Sequence, residues 1–108
     1  MMETRPSRRY VSIRIVAEGA FSQEAFQEGL EREIRRGFGA AGLAKINPRI
    51  IRFEPEKKRA VVRCNSRYVP ELKFALAITE KIGEQPCVLF SKRTSGTLKS
   101  LREDSEHI

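Results

Sequence analysis

Two short strand-like stretches joined by a proline turn constrain the fold of this chain more than any other feature. Residues 49–53 and 57–64 are rich in β-branched residues and in arginine or lysine, and Glu54-Pro55-Glu56 separates them. Proline fixes φ and has no N–H to give to a sheet, so it belongs in the connection between strands. The sequence therefore predicts a β-hairpin with apolar residues facing a core and arginines facing solvent.

The excess positive charge of the chain is concentrated at this hairpin. The chain has 21 Lys and Arg against 14 Asp and Glu, a net charge of +7. Residues 45–73 carry nine Lys and Arg against three Glu, which is +6 of that total. A basic surface of this kind favours a polyanionic partner, with nucleic acid ahead of a membrane. A soluble basic protein without such a partner is the alternative.

Apolar alternation and periodicity predict the remaining elements. They are a strand at 8–17, helices at 23–36 and 67–82, a strand at 87–91, and short helices at 40–46 and about 97–103. The main elements follow the order βαββαβ, which is typical of ferredoxin-like and RNA-recognition-motif (RRM-like) folds. We therefore expect an α+β sandwich with one antiparallel sheet, two helices on one of its faces, and extra short helices. The first and third strands should be central.

The length of the chain and its polar ends set the domain boundaries. A chain of 108 residues corresponds to one domain. We place this single RRM-like domain at residues 8–104, between a basic N-terminal tail at 1–7 and a C-terminal tail at 105–108.

The first predicted helix carries start and stop signals. Ser22 is a good N-cap, and Phe21 and Phe26 have the spacing of a hydrophobic staple. Gly37 is predicted to be the left-handed residue that ends this helix. The segment Gly37-Phe38-Gly39-Ala40-Ala41-Gly42 matches GxGxxG, but it follows a helix instead of a strand. We interpret it as a helix break or a close helix contact.

The helix predicted at 67–82 has more apolar surface than a single core requires. Phe74 and Ile78 lie away from Leu72 and Leu76 on the helical wheel. The excess surface indicates either a protein partner or self-association, or a neighbouring helix of the same chain that covers it.

The sequence offers no catalytic or metal-binding constellation, so we expect no catalytic residue, no metal site and no cofactor bound by the protein. Its single histidine, His107, is next to the C-terminus, where it cannot easily be fixed for catalysis. Cys64 and Cys87 fall in predicted strands and do not form a CxxC pair, which favours buried thiols in a reducing compartment. No signal peptide or membrane-spanning run is apparent, so we expect a cytoplasmic protein.

The cations of the sheet predict a nucleic-acid surface that binds phosphate. On the face that the helices leave open, Tyr10, Ser12 and Arg14 should join Arg59, Val61 and Arg63, and the RNP1 pattern of stacking aromatics is missing. We therefore expect ionic contacts that read the shape of RNA and little of its sequence. A second phosphate site is predicted at the start of the last helix, where an ordinary N-cap with flanking cations is the alternative. The predicted RNA-binding residues are Arg14, Lys57, Lys58, Arg59, Arg63, Lys92, Arg93 and Lys99.

Several short motifs, taken in order from about Arg9 to Leu101, resemble the archaeal ribonuclease P protein component 2 family. This small subunit is shared with eukaryotic nuclear ribonuclease P and with ribonuclease MRP. The motifs are Arg9-Tyr10, Phe38-Gly39-Ala40-Ala41-Gly42, Val61-Val62-Arg63-Cys64, Ala75-Leu76 and Ser95-Gly96-Thr97-Leu98-Lys99.

The resemblance implies a βαββαβ core and a subunit of the endoribonuclease that removes the 5′ leader of precursor tRNA. It implies that the RNA performs the chemistry with Mg²⁺, and that the protein assists the RNA while paired with protein component 3. It also implies self-association in a heterotetramer. We predict Phe38, Phe74 and Ile78 as protein-contact residues. The alternatives are a ferredoxin-like ligand-sensing module and a scaffold module, neither of which would bind RNA.

Overall fold

The computed structural model describes residues 7–99 and residue 101, which form an α+β structure with two helices and two antiparallel sheets. Its main elements follow the predicted βαββαβ order. The elements are β1 (Arg8–Val16), α1 (Gln23–Ile46), β2 (Arg49–Glu54), β3 (Arg59–Asn65), α2 (Val69–Ile78), β4 (Lys81–Ile82), β5 (Gln85–Pro86) and β6 (Val88–Ser95). Short 3-10 turns at Pro55–Lys57 and Ser66–Tyr68 precede β3 and α2.

The four-stranded sheet has the order β2-β3-β1-β6, so β1 and β3 are central, as predicted. The pairs Val11 with Val62 and Ile13 with Ala60 define the antiparallel register of the two central strands. Because side chains alternate along a strand, this register places the apolar residues of both strands on one face. The predicted hairpin is confirmed as β2 and β3, with Pro55 in the turn between them.

The core lies between this face of the sheet and the two helices. Leu30 of α1 and Leu76 of α2 are fully buried in it, together with Val62 of β3. The two cysteines, Cys64 and Cys87, are buried and free, as predicted. The side chains packed in the core cluster are Val11, Ile13, Ile15, Phe26, Leu30, Ile34, Ile46, Ile50, Ala60, Val62, Cys64, Leu72, Ala75, Leu76, Ile82, Cys87 and Leu89.

The start of α1 agrees with the sequence, but its break lies two residues later than predicted. The hydroxyl of Ser22 accepts a hydrogen bond of 3.0 Å from the N–H of Ala25, and the rings of Phe21 and Phe26 are 5.7 Å apart. Gly37 is helical, whereas Gly39 has φ 76° and ψ 177°. This backbone region is essentially open to glycine alone, so the kink falls at Gly39. The second helical stretch then runs to Ile46, as predicted.

The helix predicted at 67–82 is shorter in the structure, because α2 ends at Ile78. Thr79 is extended, its hydroxyl donates to the carbonyl of Ala75 over 2.8 Å, and its N–H donates to the carbonyl of Leu76. The chain then turns through β4 and β5. Ile82 is therefore buried as a strand residue, although its spacing from Ile78 is helical.

The strand predicted at 87–91 is longer and extends to Ser95. Lys92 and Arg93 therefore belong to β6 and do not flank a helix start, which corrects the prediction. The pairing of β6 with β1 contains a bulge, because Ser12 pairs with Arg93 while Ile13 pairs with Ser91. The last helical residues begin at Leu98, and those after residue 101 lie outside the described residues, as do both predicted tails apart from Ser7.

Candidate nucleic-acid interface

The sheet face opposite the helices carries most of the predicted RNA-binding residues. Tyr10 pairs with Arg63, Ser12 with Val61, and Arg14 with Arg59. These residues alternate with the buried apolar residues of β1 and β3, so they lie on the other face of the sheet. The predicted grouping of these side chains on one face is therefore confirmed.

A groove of about 530 Å³ lies on this open face. Six of the eight predicted RNA-binding residues line it, together with Arg52, which the sequence reasoning did not select. Among the described residues that line the groove, seven are cationic and one, Glu54, is acidic. The cations are Arg14, Arg52, Lys57, Lys58, Arg59, Lys92 and Arg93. We call this feature the cationic groove.

All four strands of the main sheet and the hairpin turn supply these cations. Arg14 comes from the central strand β1, and Lys57 comes from the turn that follows Pro55. Consecutive residues of a regular strand point to opposite faces. Because the bulge in β6 interrupts this alternation, both Lys92 and Arg93 line the groove.

A second bulge brings Arg52 to the groove. In β2, Ile50 pairs with Val62 but Arg52 pairs with Val61, so Ile51 is the additional residue. Strict alternation from the buried Ile50 would have placed Arg52 toward the core and Phe53 toward solvent. The bulge reverses this arrangement, and Phe53 packs against the core beside Phe21 at a ring distance of 6.1 Å.

The one carboxylate of the groove is paired with a neighbouring arginine. Nε of Arg59 donates to Oε1 of Glu54 over 2.7 Å. This hydrogen bond is the main reason that the pKa of Glu54 lies below its usual value, and the charges of Arg59, Lys57 and Arg52 act in the same direction against partial burial. Arg59 is thus already engaged by an anion within the protein.

Lys58 has a structural role as well as a place in the groove. Its ammonium group donates to the carbonyl of Ala17 over 2.7 Å, and its backbone carbonyl accepts from the N–H of Ile15 over 2.8 Å. Its backbone is left-handed, with φ 57°. These contacts fasten the hairpin turn to the end of β1, which holds the cations of the turn over the sheet.

Two predicted RNA-binding residues do not line the groove. Arg63 is partly buried on the open face, opposite Tyr10 and Arg49. Lys99 is exposed in the terminal helical segment. The structure therefore does not bring either residue to the cluster formed by the other six.

The terminal segment covers part of the open face. Val61 is only 7% exposed although it points away from the main core, and Leu101, which is 2% exposed, lines the same groove. Val61 occupies a position where an RNA-recognition motif would carry a stacking ring. This position is thus both non-aromatic and covered.

The predicted protein-contact residues lie on the helical side of the molecule. The rings of Phe38 and Phe74 meet edge to face with centroids 6.2 Å apart, so α1 covers part of the apolar excess of α2. Phe74 nevertheless remains 55% exposed, and Ile78 is 42% exposed. Ile78 borders a cavity of about 350 Å³ that Glu33 and Arg36 also line. The interpretation that a neighbouring helix covers the apolar excess is therefore confirmed in part. A protein partner or self-association at the exposed remainder stays a prediction.

Within residues 7–99 and 101, no helix is long and apolar enough to cross a membrane. The same residues include no group of three or more His, Cys, Asp or Glu side chains arranged to hold a metal ion.

Comparison with known proteins gives consistent results over most of the chain. Residues 9–105 match the Rpp14/Pop5 family. Ribonuclease P protein component 2 of Pyrococcus horikoshii is 30% identical over 98 residues, which cover 91% of this chain and 82% of the relative. The proteins of the same name from Aeropyrum pernix and Methanocorpusculum labreanum are each 34% identical, over 88% and 92% of this chain and 79% and 66% of the relatives.

A solved structure also shares the fold. A chain of the cryo-EM structure of yeast ribonuclease MRP superposes with a TM-score of 0.68 at 16% sequence identity. The superposition covers 98% of this chain and 96% of that chain.

Proposed function

The chain belongs to the Rpp14/Pop5 family of ribonuclease P and ribonuclease MRP protein subunits, and we propose that it assists the catalytic RNA of ribonuclease P in removing the 5′ leader of precursor tRNA. In this proposal the protein is a non-catalytic subunit that acts in the cytoplasm. The RNA binds the required Mg²⁺ and performs the cleavage, while the protein holds the RNA backbone.

The observation that carries this proposal is the cationic groove, where seven cations surround one carboxylate that is itself paired. Phosphates that are brought close together in a folded RNA repel one another, and each Lys or Arg that contacts a phosphate releases a condensed counterion. A groove of this kind would therefore favour compact RNA at a lower concentration of free cations. Phosphate contacts position the protein without reading sequence, which suits a subunit that handles many precursor tRNAs.

Pairing with protein component 3 is the second part of the proposal. The exposed residues Phe74 and Ile78 lie on the helical side, whereas the groove lies on the opposite face of the sheet. This arrangement allows one molecule to bind RNA and a protein partner at the same time. The same helical surface is our candidate for self-association within a heterotetramer.

The test of the function is cleavage of precursor tRNA by the cognate ribonuclease P RNA at limiting Mg²⁺. Reactions contain RNA alone, RNA with component 3, or RNA with both proteins. We expect efficient cleavage only with both proteins, because the groove replaces part of the Mg²⁺ requirement. If this protein adds nothing while component 3 is folded, the proposal is refuted and a ligand-sensing or scaffold module becomes the better interpretation.

The test of the mechanism is the salt dependence of RNA binding. Lys57→Ala and Lys92→Ala each remove one groove cation from an exposed position, and Lys73→Ala is the matched control on the outer side of α2. Each groove variant should flatten the slope of log K against log salt by about 0.7 to 0.9. The control should leave the slope unchanged. Equal slopes for all three variants would show that the groove does not contact phosphate.

A further inference from the structure

An exposed aromatic ring lies beside the cationic groove. Phe90 of β6 pairs with Arg14 of β1 and therefore points to the open face of the sheet. It is 50% exposed, which is unusual for a phenylalanine in a sheet strand. The next pair of the two strands on the same face, Val16 and Val88, is also about half exposed, at 45% and 48%.

The charged neighbours of this ring belong to the groove. Arg14, directly opposite Phe90, lines the groove, and so do Lys92 and Arg93 farther along the same strand. Side chains that face each other across two strands are about 5 Å apart at Cβ. A phosphate held by Arg14 would thus place the adjoining sugar and base within reach of the Phe90 ring.

The other positions of the open face are less suited to stacking. Val61 is covered near Leu101, and Tyr10, the other aromatic residue that the described strands place on this face, is partly buried. Bases that stack on an exposed aromatic ring contribute to binding regardless of their identity, because every base has a π-face.

We propose that Phe90 is a stacking platform for an unpaired nucleobase of the RNA whose backbone occupies the cationic groove. This inference rests on the proposed function and extends it from phosphate contacts to a base. It also places the aromatic contact on an outer strand of the sheet, away from the two central strands where the RNP pattern would carry it.

A protein partner is the other class of molecule that could cover Phe90. A stable protein interface buries about 800 Å² on each side, which three side chains alone do not supply. The surrounding charges are cations of the groove, which favours a polyanion over an apolar protein surface. RNA is therefore the occupant that the surroundings favour.

The chain contains no tryptophan, which permits a direct test. Phe90→Trp creates a single tryptophan at the proposed site, and Phe74→Trp creates a matched one on the helical side, where the native ring is similarly exposed. The probes are a single-stranded oligouridylate and a blunt RNA duplex of the same length. We expect the oligouridylate to quench the fluorescence of Phe90→Trp, and neither RNA to quench that of Phe74→Trp.

Binding measurements with Phe90→Leu complete the test. We expect the affinity for the oligouridylate to fall roughly 5- to 150-fold, as for one lost base stack, with an unchanged salt slope because no charge is removed. Affinity for the duplex, whose bases are already stacked, should stay the same.

The possible results separate this inference from the function on which it rests. Binding of the wild-type protein with a steep salt slope, but without quenching or loss in Phe90→Leu, refutes the stacking site and leaves the proposed function intact. Failure of the wild-type protein to bind either RNA refutes both. Unchanged RNA affinity with weakened binding of component 3 would identify the surface around Phe90 as a protein interface and refute the stacking proposal.

Discussion

Replacing two glycines of α1 by alanine should change stability in opposite directions. Gly39 has φ 76° and ψ 177°, a region in which a residue with a Cβ costs about 1 to 3 kcal/mol. Gly37 is helical, and a Cβ built on it has no atom within 4 Å. Alanine is better than glycine in a helix by about 0.5 to 1 kcal/mol. The two variants should therefore differ by about 1.5 to 4 kcal/mol in their free energy of unfolding.

Gly29 provides an intermediate case in the same helix. A Cβ there would lie 2.8 Å from Cδ1 of Ile82, which is the far end of a flexible side chain. The helix-propensity gain should then be offset by displacement of Ile82, which is fully buried. We expect Gly29→Ala to be less stable than Gly37→Ala and more stable than Gly39→Ala.

Urea unfolding followed by circular dichroism measures the order of the three variants. With an m-value of about 1 to 3 kcal/mol/M, the midpoints of Gly37→Ala and Gly39→Ala should be at least about 0.5 M apart. The m-values should stay equal, because the changes act on the folded backbone. Equal midpoints for Gly37→Ala and Gly39→Ala would refute the kink at Gly39 and the reasoning from it.

Three further predictions concern the core, the thiols and the groove. Leu30→Ala should lower the free energy of unfolding by about 2 to 5 kcal/mol in the same urea assay, because the residue is fully buried. Burial raises the pKa of Cys64 to about 11 and also raises that of Cys87, so a thiol reagent at pH 8 should label both only after unfolding. Because the pKa of Cys64 is higher in the folded than in the unfolded protein, burying its neutral thiol contributes to stability. This contribution is complete below the ordinary thiol pKa of 9.0 and is lost as the pH rises toward 11. Arg59→Gln should raise the pKa of Glu54, measured by NMR, because the hydrogen bond that lowers it is removed. In the wild-type protein the lowered pKa of Glu54 stabilises the fold above the ordinary carboxyl pKa, and this stabilisation is lost as the pH falls through the folded pKa.

The parts of the fold that the sequence predicted are those with local signals. Ser22, which caps the start of α1, accepts from the N–H of Ala25, only three residues away in the sequence. The turn at Pro55 is specified in the same way. The end of α2 lacked such a signal, because Ile82 continues the helical spacing from Ile78 although the two residues belong to different elements. Only the packing of Ile82 in the core shows that this residue belongs to a strand and not to the helix.

In the candidate site, too, the features with a local sequence signal were predictable, and those that depend on strand pairing were not. The alternation of Arg59, Val61 and Arg63 with buried residues placed them correctly on the open face. Arg52 was missed because a bulge, which depends on pairing between two strands, changes the direction of its side chain. The sequence did not indicate Phe90 as a site residue, because its exposure depends on the position of β6 at the edge of the sheet.

The central position of β1 has a consequence for synthesis on the ribosome. This strand is made before both of its partners, β3 and β6, and Tyr10 pairs with Ser95 of the last strand. At about 5 to 20 residues per second, the ribosome needs roughly 4 to 17 s to extend the chain from Tyr10 to Ser95. During that time the backbone N–H and C=O groups on one edge of β1 have no partner, and this edge can pair with another nascent chain. A stalled chain that ends before Val88 should therefore require a chaperone, whereas one that exposes β6 beyond the ribosomal tunnel should not.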